Sequence, residues 1–91
     1  VTAELDDGEA VARAVRGMEA VIHLGAVTAD YDVEQVMIPA NIAGPWNIFA
    51  QAQLAGVSRV IFASTHHTVG FHHPDLTLEL TEEAPPRPDT F

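Results

Sequence analysis

The sequence predicts an α/β fold built on parallel strands. Two short, β-branched apolar runs, AVIHLGA at 20–26 and SRVIFAS at 58–64, read as strands covered on both faces, the pattern of a parallel sheet. A long helical segment lies between them, and a second helix precedes them. The order strand, helix, strand is a βαβ unit, whose crossover is right-handed.

The first helix is expected over 7–17. Asp7 is placed to cap it, because a carboxylate there accepts from the free N–H groups of the first turn. Glu9 lies near the positive end of the helix dipole, and Arg13 and Arg16 near the negative end. Ala10, Val11, Ala14 and Val15 form an apolar stripe, and Gly17 suits the residue just past the helix end. After the first strand, the polar stretch 28–34 reads as a loop or a ragged helix start.

The second helix is expected over about 36–55 and closed by Gly56. Ile42, Trp46, Phe49 and Ala50 recur at three- and four-residue spacing and define its expected apolar face. Pro39 and Pro45 interrupt it, since a mid-helix proline loses a hydrogen bond and costs about 3 kcal/mol. The expectation is a kink, or a start at Pro39 with a distortion near Gly44 and Pro45. Beyond Ser64 the chain turns irregular. His72, His73, Pro74 and Asp75 signal a turn, Leu76, Leu78 and Leu80 alternate as in a short edge strand, and 81–91 reads as extended loop. Two parallel strands do not make a stable sheet alone, so the chain is expected to be an interior slice of a larger α/β domain.

At 91 residues this is one domain at most. Hydrophobic content of 47% with 19% charged residues marks a globular chain. Four basic against thirteen acidic residues give a net charge of −9, which argues against nucleic acid or an anionic membrane as partner. With no cysteine, disulfides and thiolate metal sites are excluded. No apolar run reaches the ~20 residues of a membrane span, and the first residues do not form a signal peptide. A cytoplasmic protein is the expectation.

Ligands of open parallel sheets bind beyond the carboxyl ends of the strands. One strand end delivers Leu24, Gly25, Ala26, Val27 and Thr28, the other Ser64, Thr65, His66 and His67. Gly25 and Ala26 lack bulk, so a flat ligand could lie against the backbone there. Strand spacing of roughly 5 Å would let Thr28 and 65–67 line one cleft. Each residue also has a structural reading. Thr65 could cap a neighbouring backbone group, Asn41 could tie helix to loop, and His23 could be a satisfied core histidine. A zinc site of His66, His67, His72 and His73 is disfavoured, because adjacent histidines on extended backbone point opposite ways and no carboxylate sits at ligand spacing. No metal is expected.

The stretches AVIHLGA at 20–26, NIAGPWNIFAQAQLAGVSRVIFAST at 41–65 and VGF at 69–71 resemble the extended short-chain dehydrogenase/reductase family, also called the NAD-dependent epimerase/dehydratase family. HLGAVT, FASTHHTVGF and PPRPDTF look most like its uronate dehydrogenase branch. The resemblance covers nearly the whole chain. It implies a Rossmann-type doubly wound parallel sheet, of which this chain is a central part. It also implies NAD as cofactor, with NADP not excluded, a small sugar or sugar-acid substrate, and leaves a homo-oligomeric parent open.

Residue by residue, the resemblance makes Thr65 the catalytic hydroxyl, five positions before Gly70. It would bond the reacting oxygen beside a tyrosine acting as general base or acid. Leu24, Gly25, Ala26 and Asn41 flank the cofactor. Glu4 and Leu5 stand where the family usually has Asp-Leu at the adenine, and Thr28, His66 and His67 would contact the sugar acid. Three positions depart from the pattern: Glu4 for Asp, Pro45 for the common Thr, and His66 for the Asn typical of the uronate branch. The family's glycine-rich phosphate loop and Tyr-x-x-x-Lys pair are not in these residues, and Tyr31 lies at the wrong place for the latter. The chain by itself is therefore expected to be inactive and marginally folded. The alternatives are a nucleotide-sugar epimerase or dehydratase, a non-catalytic dinucleotide sensor on the same fold, and a histidine-based metal module.

Overall fold

The computed structural model describes residues 2–29, 32–72 and 79–88, the side chains of Phe71 and His72 excepted. Helix α1 spans Gly8–Val15 and strand β1 Ala20–His23. Two π-helical segments, Val33–Met37 and Pro39–Ala43, lead into α2, Gly44–Leu54. Strand β2, Arg59–Phe62, and a 3-10 helix, His66–His72, follow.

Helix α1 forms for local reasons. The Asp7 carboxylate accepts from the N–H groups of Glu9 and Ala10, both at 3.0 Å. Gly17 then turns the chain at φ 75°, a conformation in which only glycine is relaxed. Ala10, Val11 and Val15 are buried, whereas Ala14, at the margin of the expected stripe, is exposed.

The strands pair in parallel, Ala20 with Arg59 through His23 with Phe62. Both are shorter than their apolar runs. Pairing extends slightly further at each end: the Ser58 N–H and hydroxyl both donate to the Glu19 carbonyl, and the Ala63 N–H donates to the His23 carbonyl. Val21, Val60, His23 and Phe62 share the face toward the helices. Val11, Val15 and Ile48 make the core there, with Leu5, Val21 and Val60 against it. On the opposite face Ile22 is 64% exposed and Ile61 50%. Only one of the two sheet faces is covered, so the expectation of strands buried on both sides holds for these residues by half.

The segment before α2 meets the proline expectation in part: the distortion near Gly44 and Pro45 is there, as a π turn, but the helical path starts ahead of Pro39. The helical path begins at Val33, with Asp32 capping it through a 2.8 Å bond from the Gln35 N–H. The turns are widened. The Ile38 N–H reaches the Val33 carbonyl and the Gly44 N–H the Pro39 carbonyl, each five residues back. A π turn accommodates prolines that an α-helical ladder would reject. Pro45 then sits in the first turn of α2, where its missing N–H costs nothing.

The buried face of α2 is not the expected one. Gly44, Ile48 and Ala52 are buried, while Ile42, Trp46 and Phe49 are exposed, Trp46 at 73%. The small residues let α2 approach α1 and the sheet closely; of the larger apolar side chains, Phe49 meets Phe62 edge-on with centroids 5.7 Å apart, while Trp46 faces solvent. Gly56, at φ 75°, ends the helix. No helix among the described residues is long and apolar enough to cross a membrane. Of the expected edge strand, residues 76–78 lie outside the described residues and Leu80 is not in a strand, and His73, Pro74 and Asp75 also lie outside them.

Candidate functional site

Both strands run toward one end of the sheet, and the segments that leave them there carry the candidate residues. At the β1 exit, Leu24, Gly25, Ala26 and Thr28 are all exposed and Val27 is half-buried. Asn41, from the second π turn, grips this exit. Its Oδ1 accepts from the Val27 N–H at 2.8 Å, and its Nδ2 donates to the Val27 carbonyl at 2.9 Å. The helix-to-loop bond expected of an asparagine here is present twice over, and the amide holds the loop that flanks the cleft.

A cleft of about 330 Å³ lies beside that loop, lined by Glu4, Leu5, Asp6, Ala26, Val27, Gln35, Val36, Pro39 and Ala40. It brings together three of the sequence-predicted cofactor residues: Glu4, Leu5 and Ala26. Gln35, Val36, Pro39 and Ala40 were not anticipated. They come from the widened helical turns before α2 and, spaced i, i+1, i+4 and i+5, share one wall.

The cleft sets apolar surface beside carboxylate acceptors. Ala26, Val27, Val36 and Pro39 offer apolar surface to a flat base. The carboxylates of Glu4 and Asp6 can accept from an exocyclic amine or a ribose hydroxyl. A carboxylate thus remains at the position where Glu4 replaces Asp.

At the β2 exit, Thr65, His66 and His67 are exposed and do not line that cleft. The Thr65 Oγ1 accepts from the His67 N–H at 3.3 Å, and the Thr65 carbonyl accepts from the Thr68 hydroxyl at 2.9 Å. The capping expected of a strand-end hydroxyl is therefore observed. It uses the oxygen as acceptor and leaves the hydroxyl proton to donate elsewhere.

The 3-10 helix corrects one geometric expectation. His66 and His67 do not point opposite ways. Their ring centroids lie 4.3 Å apart at an interplanar angle of 31°, because consecutive residues of a tight helix fan round one side. The later segment returns to this exit, with the Arg87 N–H donating to the Thr68 carbonyl. No group of three or more metal-ligating side chains is found among the described residues; His73 lies outside them.

His23, at the end of β1, is 4% exposed and stacks on Phe62 with centroids 5.5 Å apart. It is a core histidine, as expected, but not a satisfied one: its buried Nε2 has no hydrogen-bond partner among the described residues.

Comparison with known proteins agrees with this geometry. The family model described as "NAD dependent epimerase/dehydratase family" matches residues 1–90. A uronate dehydrogenase of Pseudomonas putida is 38% identical over 91 residues, which is 100% of this chain and 33% of that protein. A glucuronic acid dehydrogenase from Chromohalobacter salexigens superposes with a TM-score of 0.84 at 34% identity, covering 99% of this chain and 33% of the other. A uronate dehydrogenase variant from Agrobacterium tumefaciens, solved with NAD, superposes at 0.78 with 32% identity, over 98% of this chain and 32% of the other. The chain thus spans about a third of the length of the relatives it matches.

Proposed function

Since this chain belongs to the NAD dependent epimerase/dehydratase family, we propose that it is the central part of a Rossmann-type domain in an NAD-dependent dehydrogenase acting on a uronic acid. One observation carries the reading: a likeness of 38% identity to a uronate dehydrogenase, unbroken over the full 91 residues. The cleft of Glu4, Leu5 and Ala26 at the carboxyl end of the sheet supports the cofactor half of it.

In this reading Glu4, Leu5 and Asp6 bind the adenosine side of NAD. Leu24, Gly25 and Ala26 lie along its path, with Gly25 and Ala26 short enough for close approach. Asn41 acts through Val27, keeping the β1 exit in the shape that the cofactor meets. When bound, NAD supplies the hydride acceptor. The Thr65 hydroxyl donates to the sugar oxygen from which a proton is lost, stabilising charge as it develops there. Thr28, His66 and His67 orient the sugar's hydroxyls and carboxylate, and two adjacent imidazoles suit a carboxylate because each can present an N–H. The proposed setting is the cytoplasm, where a free NAD pool is available.

The test is an assay of the full-length enzyme with NAD and glucuronate, following NADH by absorbance. Reduction of NAD that depends on the uronic acid is the expected result. Conversion of a nucleotide-sugar without net NADH, with uronic acids inert, would replace the dehydrogenase with an epimerase or dehydratase. NAD binding without turnover of either would leave a sensor.

A further inference from the structure

The outer wall of the cleft is tied down by residues that do not line it. Glu4, Leu5 and Asp6 form that wall, and they belong to a stretch with no regular secondary structure. Leu5 is nonetheless fixed from three directions. Asn47, one turn into α2, donates from Nδ2 to the Leu5 carbonyl at 2.9 Å, across 42 residues of sequence. A Cβ on Gly44 would lie 2.8 Å from the Leu5 Cβ, and one on Gly25 3.1 Å from Leu5 Cδ1. The side chain is pinched between the start of α2 and the exit of β1, while the carbonyl is tied to Asn47.

Asn47 is itself held. Its Oδ1 lies 3.5 Å from where a Cβ of Gly8 would be, so the amide packs against the first residue of α1. It is half-buried and does not line the cleft. Its effect on a ligand therefore passes through Leu5 and the neighbouring Glu4 and Asp6.

We propose that Asn47 is a positioning residue for dinucleotide binding, locking the Glu4–Leu5–Asp6 wall against α2 so that its carboxylates meet the adenosine. This rests on the nucleotide reading of the cleft given above. Asn47 is far along the chain from the residues it serves and does not itself line the cleft.

The experiment uses the full-length enzyme, comparing Asn47→Ala and Asn47→Asp with wild type. Asn47→Asp keeps the shape but loses the donor. Steady-state constants are measured for NAD and for glucuronate, and ADP is titrated as a competitive inhibitor that reports on the adenosine side alone. The expected result is a rise of about tenfold in KM for NAD and in the ADP inhibition constant, with kcat at saturating NAD and KM for glucuronate within about twofold. Unchanged NAD and ADP constants overturn the proposal, as does a parallel fall in kcat for both variants with no selective change in NAD or ADP. If Asn47→Ala does not fold, Asn47→Ser, which retains a hydroxyl donor, takes its place with a smaller rise expected in the same two constants. A wild-type enzyme that binds neither NAD nor ADP overturns the nucleotide reading itself. That outcome is distinct from a wild type that binds both no better than its variants.

Discussion

Asn41 and Val27 exchange two hydrogen bonds: the Val27 N–H donates to Asn41 Oδ1 at 2.8 Å, and Asn41 Nδ2 donates back to the Val27 carbonyl at 2.9 Å. Both polar ends of one side chain are spent on one backbone residue. The two bonds join the widened helix to the β1 exit. Asn41→Ala in the full-length enzyme leaves a part-buried N–H and carbonyl without partners. A loss of about 2–3 kcal/mol is expected from two such bonds, read by chemical denaturation. Asn41→Asp keeps the acceptor and faces the carbonyl with a carboxylate. It should be no more stable than the alanine variant and should raise KM for NAD.

Thr65 carries the proposed hydrogen bond to substrate. Thr65→Val removes the hydroxyl at nearly constant shape, and kcat/KM for glucuronate should fall by about 10²-fold or more. Thr65→Ser keeps both the hydroxyl and the cap on the His67 N–H, and should remain within about tenfold of wild type. Equal activity of the serine and valine variants would end the catalytic assignment.

Gly44→Ala sets two effects against each other. Alanine favours an α-helix over glycine by about 1 kcal/mol. Here the added Cβ would lie 2.8 Å from the Leu5 Cβ, an atom fixed to the backbone rather than the tip of a flexible chain. Overpacking of this kind costs about 1–3 kcal/mol, so the net change should be destabilising, seen as a lower denaturation midpoint. Gly25→Ala meets Leu5 Cδ1, a side-chain tip, at 3.1 Å and the His23 ring at 3.5 Å or more, and should cost less.

Asp7 accepts from two N–H groups at the start of α1. Asp7→Ala should lower stability by about 1 kcal/mol and Asp7→Asn by less, both by denaturation of the full-length enzyme.

The 91-residue chain on its own should not turn over NAD, and it should bind a hydrophobic dye strongly. Ile22, Ile61 and Trp46 are each half or more exposed, an apolar surface that a stable small domain would cover. NAD reduction by the isolated chain would refute this.

Local chemistry was legible in the sequence. The Asp7 cap, the turns at Gly17 and Gly56 and the two parallel strands each follow from a few adjacent residues. The face of α2 was not. Periodicity ranks residues by hydrophobicity, so it selected Ile42, Trp46 and Phe49. Close packing of α2 against α1 and the sheet instead needed small residues, and buried Gly44 and Ala52 beside Ile48. The cleft was half legible. Glu4, Leu5 and Ala26 followed from the family resemblance, but Gln35, Val36, Pro39 and Ala40 share a helical face that meets 4–6 and 26–27 only in space. The clamp on Leu5 was invisible because its parts, at 5, 25, 44 and 47, are joined only in space.

The pinch on Leu5 has a consequence for how such chains can diverge. Leucine at 5 and glycine at 25 and 44 are not three independent choices. A larger residue at 25 becomes acceptable once 5 has lost its Cδ1, whereas 44 faces the Leu5 Cβ, which every residue but glycine keeps. Change at 5 and 25 is then coupled, each single step less stable than the compensated pair. Leu5→Ala with Gly25→Ala should be less damaging than the sum of the two changes made singly, because alanine at 5 lacks the Cδ1 that crowds 25, and that shortfall measures how firmly one site's history constrains the other's.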